Sequence, residues 1–194
     1  SPVREMERRI TGKDGKDYWQ QWSVRALFDS GGKAAEYQVV GRDITRQKQD
    51  EEEIRFKNTL LTTQQETSPD GILIVDENGR ILHYNRRFVD LWKIPDDLAA
   101  SREDEPVLQY VAAQVTEADA FVSRVRYLYD NRGEKSFEEL ALKDGRVFDR
   151  FSAPILGESG RYYGRVWYFR DITERRKAED TIRESEARLR SFIE

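Results

Sequence analysis

Arg42-Asp43-Ile44-Thr45 and, 128 residues later, Arg170-Asp171-Ile172-Thr173 are the same four residues in the same order. Working outward from each, further landmarks recur. Lys13-Asp14-Gly15 answers to Lys143-Asp144-Gly145 at a shift of 130, and Trp19 and Trp22 answer to Phe148 and Phe151 at 129. Gly32 answers to Gly160, and Ile54 to Ile182, both at 128. The shift falls by one twice, as single-residue differences in turns or strand bulges would produce. An ordered set of this kind is an internal repeat, and it organises the chain before any local structure is assigned.

Each copy reads as three antiparallel strands followed by a helix. In the second copy the strands are expected at Ser136–Leu142, Arg146–Ile155 and Tyr162–Arg170, with turns at Lys143-Asp144-Gly145 and Gly157-Glu158-Ser159-Gly160. In the first they are expected at Arg4–Thr11, Lys16–Phe28 and Ala34–Arg42, with Asp29–Lys33 as a turn. Glycine-bearing loops this short join antiparallel neighbours, so both copies read as meanders. Only the second copy has material upstream. There Gly71-Ile72-Leu73-Ile74-Val75 and Arg80–Tyr84 flank the hairpin signal Asp76-Glu77-Asn78-Gly79. A short helix is expected from Asn85, with Phe88, Leu91 and Trp92 on one face and Pro95 ending it. One or two amphipathic helices are expected within Pro106–Asp130.

Composition narrows the functional classes. The 194 residues carry 33 Lys+Arg against 37 Asp+Glu, 22 aromatic residues (9 Phe, 9 Tyr, 4 Trp), one histidine and no cysteine. The aromatic content is too high for a disordered chain, and a near-balanced charge lacks the basic stripe of a nucleic-acid module. Without cysteine there is no disulfide frame, thiolate nucleophile or covalent flavin adduct. One histidine, His83, leaves no His-cluster metal site. The longest apolar run, Gly71–Val75, is far below the ~18–20 residues that span a bilayer. No signal-peptide pattern is visible, which points to a cytoplasmic segment. The chain starts without Met and ends inside a helical run, and it reads as an excised piece of something longer.

Asp70-Gly71-Ile72, Asp76-x-x-Gly79-Arg80-Ile81, Asn85-x-x-Phe88-x-x-Leu91-Trp92, the Asp144-Gly145 turn and the terminator Arg170-Asp171-Ile172-Thr173-Glu174-Arg175 together resemble the PAS family of sensory modules. These modules occur in two-component proteins such as sensor histidine kinases and in cyclic-dinucleotide signalling proteins. The resemblance implies an α+β fold: a five-stranded antiparallel sheet with helices on one face, around a core that in some members holds a ligand. It also implies one complete domain at 69–173, the C-terminal half of another at 1–46, a linker helix at 47–68 and an outgoing helix at 174–194. In the half domain Trp19, Trp22, Val24 and Phe28 are expected to lie exposed and to seek a partner, either another chain or the complete domain.

The candidate site residues fall into three groups. Asp43 with Thr45, and Asp171 with Thr173, stand where a strand gives way to a helix. Glu174 follows Asp171 at capping-box spacing, so the aspartates read as helix caps and as relays from sheet to helix. Ile72, Ile74, His83, Phe88, Trp92, Phe121, Val125, Phe137, Phe148, Phe151, Trp167 and Tyr168 are candidates for lining a small-molecule cavity, with ordinary core packing as the competing reading. Arg124, Arg126, Arg150 and Arg165 could meet an anion, although surface ion pairs are their commoner fate. Ala178, Ile182, Ser185, Leu189 and Phe192 keep the four-three spacing of a coiled-coil seam, which implies a homodimer. In 46–66 that spacing is diluted.

No constellation reads as catalytic or metal-binding, and no cofactor is required. A haem ligated by His83 and a non-covalent flavin are minor alternatives. The expected function is a sensory relay acting with other domains of a parent protein, passing a packing change through the Asp-Ile-Thr cap to a dimeric helix. A ligand-free dimerisation or spacer scaffold is the alternative, and any enzymatic activity would lie in a further domain downstream.

Overall fold

The computed structural model describes residues 3–191 and divides the chain into two units, Ser1–Thr63 and Gln64–Glu194. In the first unit β1 (Val3–Thr11), β2 (Asp17–Phe28) and β3 (Ala34–Asp43) form an antiparallel meander in the order β1-β2-β3, and α1 (Thr45–Glu66) leaves its last strand. Ile44 is the one buried apolar side chain among the described residues of this unit. Phe28 is exposed as expected, whereas Trp19, Trp22 and Val24 are half-buried. Trp19 and Trp22 are three residues apart in a strand, so they occupy opposite faces. Lys48 stands over the Trp19 ring at 5.5 Å.

The second unit is a five-stranded antiparallel sheet in the order β5-β4-β8-β7-β6. Its strands are β4 (Gly71–Asp76), β5 (Ile81–Tyr84), β6 (Ser136–Ala141), β7 (Val147–Leu156) and β8 (Tyr162–Asp171). Between β5 and β6 run α2 (Arg86–Trp92), α3 (Asp96–Ala100), α4 (Asp104–Ala112) and α5 (Ala118–Asp130), and α6 (Thr173–Ser191) follows β8. The helices cover one sheet face. Leu73, Val75, Leu140, Phe148, Trp167 and Phe169 point into the core they enclose, against Phe88, Trp92, Val107, Val111, Phe121, Val125 and Leu128. Trp92 packs edge-on against Phe148 and Phe169, with ring centroids 5.1 and 5.3 Å apart. Two glycines permit close approach: a Cβ on Gly71 would lie 2.9 Å from the Phe88 Cα, and Gly164, at φ +147°, puts its Cα side against the Val75 carbonyl.

Pro95 does not end α2. The helix stops at Lys93, which takes a left-handed conformation (φ 52°) with its N–H turned to the Asp90 and Val89 carbonyls, and Pro95 opens α3, a helix the sequence reading lacked.

The strand register also corrects the repeat. In the first copy Ile44 N–H donates to Trp19 O and Trp19 N–H to the Thr45 hydroxyl; in the second, Ile172 N–H donates to Val147 O and Val147 N–H to the Thr173 hydroxyl. Trp19 therefore answers to Val147 and Trp22 to Arg150, not to Phe148 and Phe151. The shift is 128 throughout β2 and β3, down to the shared bulges at Leu27/Phe28 and Ile155/Leu156. The whole difference lies in the first hairpin, which is four residues longer in the first copy, two in each strand: Arg9 and Trp19, ten residues apart, pair where Ala141 and Val147, six apart, do.

Candidate functional site: the helix caps and the core beneath them

The two caps are superimposable in their bonding. Thr45 N–H donates to Asp43 Oδ1 at 2.8 Å, and Thr173 N–H to Asp171 Oδ1 at 2.9 Å. The Thr173 hydroxyl also donates to Asp171 Oδ1 while accepting the Val147 N–H, so one hydroxyl joins the carboxylate to the neighbouring strand. Hydrogen bonds from the Thr45 hydroxyl and N–H hold the Asp43 carboxyl below its usual range. Ile44 and Ile172, between carboxylate and threonine, are both buried, which locks each cap against its sheet.

Strand alternation sorts the cavity candidates. Phe88, Phe121 and Val125 line a cavity of about 30 Å³, together with Leu73, Asp104, Tyr129, Arg150 and Trp167 among others. Trp92 and Phe148 are fully buried in the core beside it. The remaining candidates lie on the opposite face. Phe137, Phe151, Tyr168 and Ile72 are successive partners across four strands, and His83 pairs Ile74. Phe137 is 66% exposed, and neither it nor the other five borders the cavity. Adjacent residues such as Trp167 and Tyr168 cannot face the same way in a strand. A volume of about 30 Å³ matches roughly one water molecule, well below the ~300 Å³ at which small-molecule pockets begin. His83, on the far face, does not reach it, so neither haem nor flavin fits this core as it stands.

The sequence reading weighed Arg150 and Arg165 as anion ligands or surface ion pairs, and the structure instead buries both in the core. Arg150 is 1% exposed; it donates through Nη2 to Glu138 and lies between Phe121 and Trp167, 4.8 and 5.4 Å from their ring centres. Burial would raise the Glu138 carboxyl, but hydrogen bonds and charge from Arg124 and Arg150 more than offset it and hold it low. Among the described residues, Arg150 Nε and Nη1 and Trp167 Nε1 are buried without hydrogen-bond partners. Arg165, fully buried, donates to the carbonyls of Leu128 and Glu134 and to the Ser152 hydroxyl, each at 2.9 Å, pinning the end of α5 to the sheet. Asp104 of α4 accepts from the Tyr129 hydroxyl of α5 at 2.5 Å, and burial pushes its carboxyl up to about 6. Of the four arginines considered as anion ligands, Arg126 pairs Glu105 and Arg124 pairs Glu134 and Glu138.

In the proposed seam, Ala178, Ile182 and Ser185 are exposed on α6, with Ile182 at 60%. The Leu189 side chain and Phe192 lie outside the described residues. Among the described residues no group of His, Asp or Glu is placed to hold a metal ion, and no helix is long and apolar enough to cross a membrane.

A five-stranded sheet of order β5-β4-β8-β7-β6, helices on one face and an exit helix capped by Asp-Ile-Thr define a sensor-module fold. The family model described as "PAS fold" matches residues 66–177, and a second, "PAS domain", matches 2–46. The chain belongs to the PAS family of sensor domains. Among solved structures it is similar to the PAS domain of BvgS from Bordetella pertussis (16% identity, 68% of this chain and 97% of that one, TM-score 0.49). It is also similar to a sensory box histidine kinase/response regulator from Burkholderia thailandensis (16% identity, 68% and 98%, TM-score 0.45). A third is a domain of a putative light and redox sensing histidine kinase from Haloarcula marismortui (17% identity, 56% and 93%, TM-score 0.42). No curated protein matches the chain.

Proposed function

We propose that this chain is a sensory-relay segment of a multidomain signal-transduction protein, a sensor histidine kinase or a cyclic-dinucleotide signalling protein, in which residues 69–173 are a complete PAS domain and 1–46 the C-terminal half of another. Residues 47–68 and 174–194 are the helices that carry the signal onward. The observation that carries this reading is the cap itself, built twice with the same bonds at the root of each exit helix. Its threonine hydroxyl receives an N–H from the adjacent strand, so a shift of β7 against β8 is passed to the first turn of α6. The exposed Ala178 and Ile182 stripe then turns that shift into altered packing against the same helix of a second copy. Asp171→Ala in the full-length parent tests the relay. Loss of a cap costs about 1 kcal/mol, so the domain is expected to stay folded by circular dichroism while stimulus and output uncouple. An unchanged response overturns the relay.

The second reading, a ligand-free dimerisation scaffold, is favoured by the cavity of only about 30 Å³. Absorbance and native mass of protein purified from cells separate the two. A bound small molecule supports a sensor, and a bare dimer that answers no stimulus supports a scaffold.

A further inference from the structure

The cap is one of three attachments that both exit helices make to their meanders; α6 adds a fourth of its own, Arg175 Nη2 to Asp149 Oδ2 of the middle strand at 3.1 Å. The helix continues covalently from the last strand. The middle strand holds it through the N–H bond to the cap threonine, Trp19 in the first unit and Val147 in the second. A third attachment reaches the outermost strand: Lys48 Nζ meets Glu7 Oε2 at 2.7 Å, and Arg176 Nη2 meets Glu139 Oε2. Lys48 and Arg176 each stand three residues beyond the cap threonine, and their N–H groups bond to Ile44 O and Ile172 O, both at 2.9 Å. The acids also occupy one place on the sheet. Glu7 pairs Gln21, which pairs Arg42; Glu139 pairs Asp149, which pairs Arg170. In sequence Glu7 and Glu139 are 132 apart while the basic residues are 128 apart, because the first hairpin is four residues longer, two in each strand. Across that length change the same contact to a glutamate reappears, made by a lysine in one copy and an arginine in the other.

We propose that Lys48 and Arg176 are positioning residues: each, through its acid on the outermost strand, completes a three-strand mount that sets the direction of the exit helix. The helix then responds to the twist of the whole meander rather than to its own strand alone. This rests on the relay reading above, but its test does not need an output. Arg176 and Glu139 are each a little over one-third exposed, so the pair is weak as a stability term. Its role is geometric.

Hydrogen exchange at the α6 amides of residues 176–180, followed by mass spectrometry on the 194-residue chain, tests it. Arg176→Glu and Glu139→Arg are each expected to speed exchange there about threefold to fivefold, the scale of one modest ion pair. The double variant, with the charges exchanged, is expected to return to within about twofold of the wild type. In 1 M salt, where screening acts within about 3 Å, the single variants and the wild type are expected to converge. Wild-type exchange in both single variants, or a double variant as fast as the two effects combined, overturns the mount. If charge exchange restores protection while Asp171→Ala leaves the response unchanged, the mount stands and the relay falls.

Discussion

Asn85 is the side chain on which three segments of the second unit converge. Its Oδ1 accepts the N–H groups of Ile72 and Phe88, at 2.8 and 3.0 Å, and its Nδ2 donates to the carbonyls of Gln65 and Asp70, at 2.8 and 2.9 Å. It is fully buried, so each bond it loses leaves a backbone group dry. Asn85→Ala is expected to cost about 2–4 kcal/mol, read as a lowered urea midpoint at unchanged slope; a loss under about 1 kcal/mol would show that water replaces the amide. The helix start was legible, because Asn before an amphipathic run is an N-terminal signal, although the reading placed Asn85 in the helix rather than as its cap. The reach to Gln65 and Asp70 was not, because local pattern carries no information on which backbone groups a fold brings together. The burial of Arg150 and Arg165 was illegible for a related reason. A strand's alternation says only that neighbours face opposite ways, and the helices laid over one face decide which way is inside.

At the scale of elements, α4 and α5 are joined by the bond between Tyr129 and Asp104 across the core. The Asp104 carboxyl, raised to about 6 from 3.8 by burial, binds its proton more tightly in the folded chain than in the unfolded one. The contribution is therefore complete below about pH 4 and is lost as pH rises through about 6, on the order of 2–3 kcal/mol in all. Asp104→Asn keeps an acceptor for Tyr129 and removes the titration. The stability of wild type minus variant is expected to fall between pH 4 and about 6.5 and to be level above it. A difference independent of pH would mean that the carboxyl titrates as if solvated. The element boundaries themselves were largely readable, since glycine turns and alternation mark strands. The exception, α3, is five residues long and too short for a periodicity to register.

For the whole molecule, the two units differ in how much apolar surface they bury. The described part of the first has Ile44 alone in the buried class, while the second encloses the entire aromatic core. Unfolding is accordingly expected in two steps by calorimetry, the three-stranded unit first and the five-stranded one later. Removing residues 1–63 is expected to abolish the first transition and move the second by less than about 4 °C, a shift that corresponds to roughly 1 kcal/mol or less. A single transition that vanishes on truncation would show that the units fold as one.

By itself the sequence determined the repeat, the order of strands and turns, the PAS resemblance and the aspartate caps. All of these rest on local chemistry: positive-φ glycines, strand alternation, and a carboxylate poised before a helix. Tertiary structure alone decided which half of the proposed cavity residues faces the core, that two arginines and an aspartate lie buried there, and that Glu7 and Glu139 take the same place on their sheets. Those outcomes depend on register and on which surface the helices cover, and both are set by contacts between residues far apart in the chain.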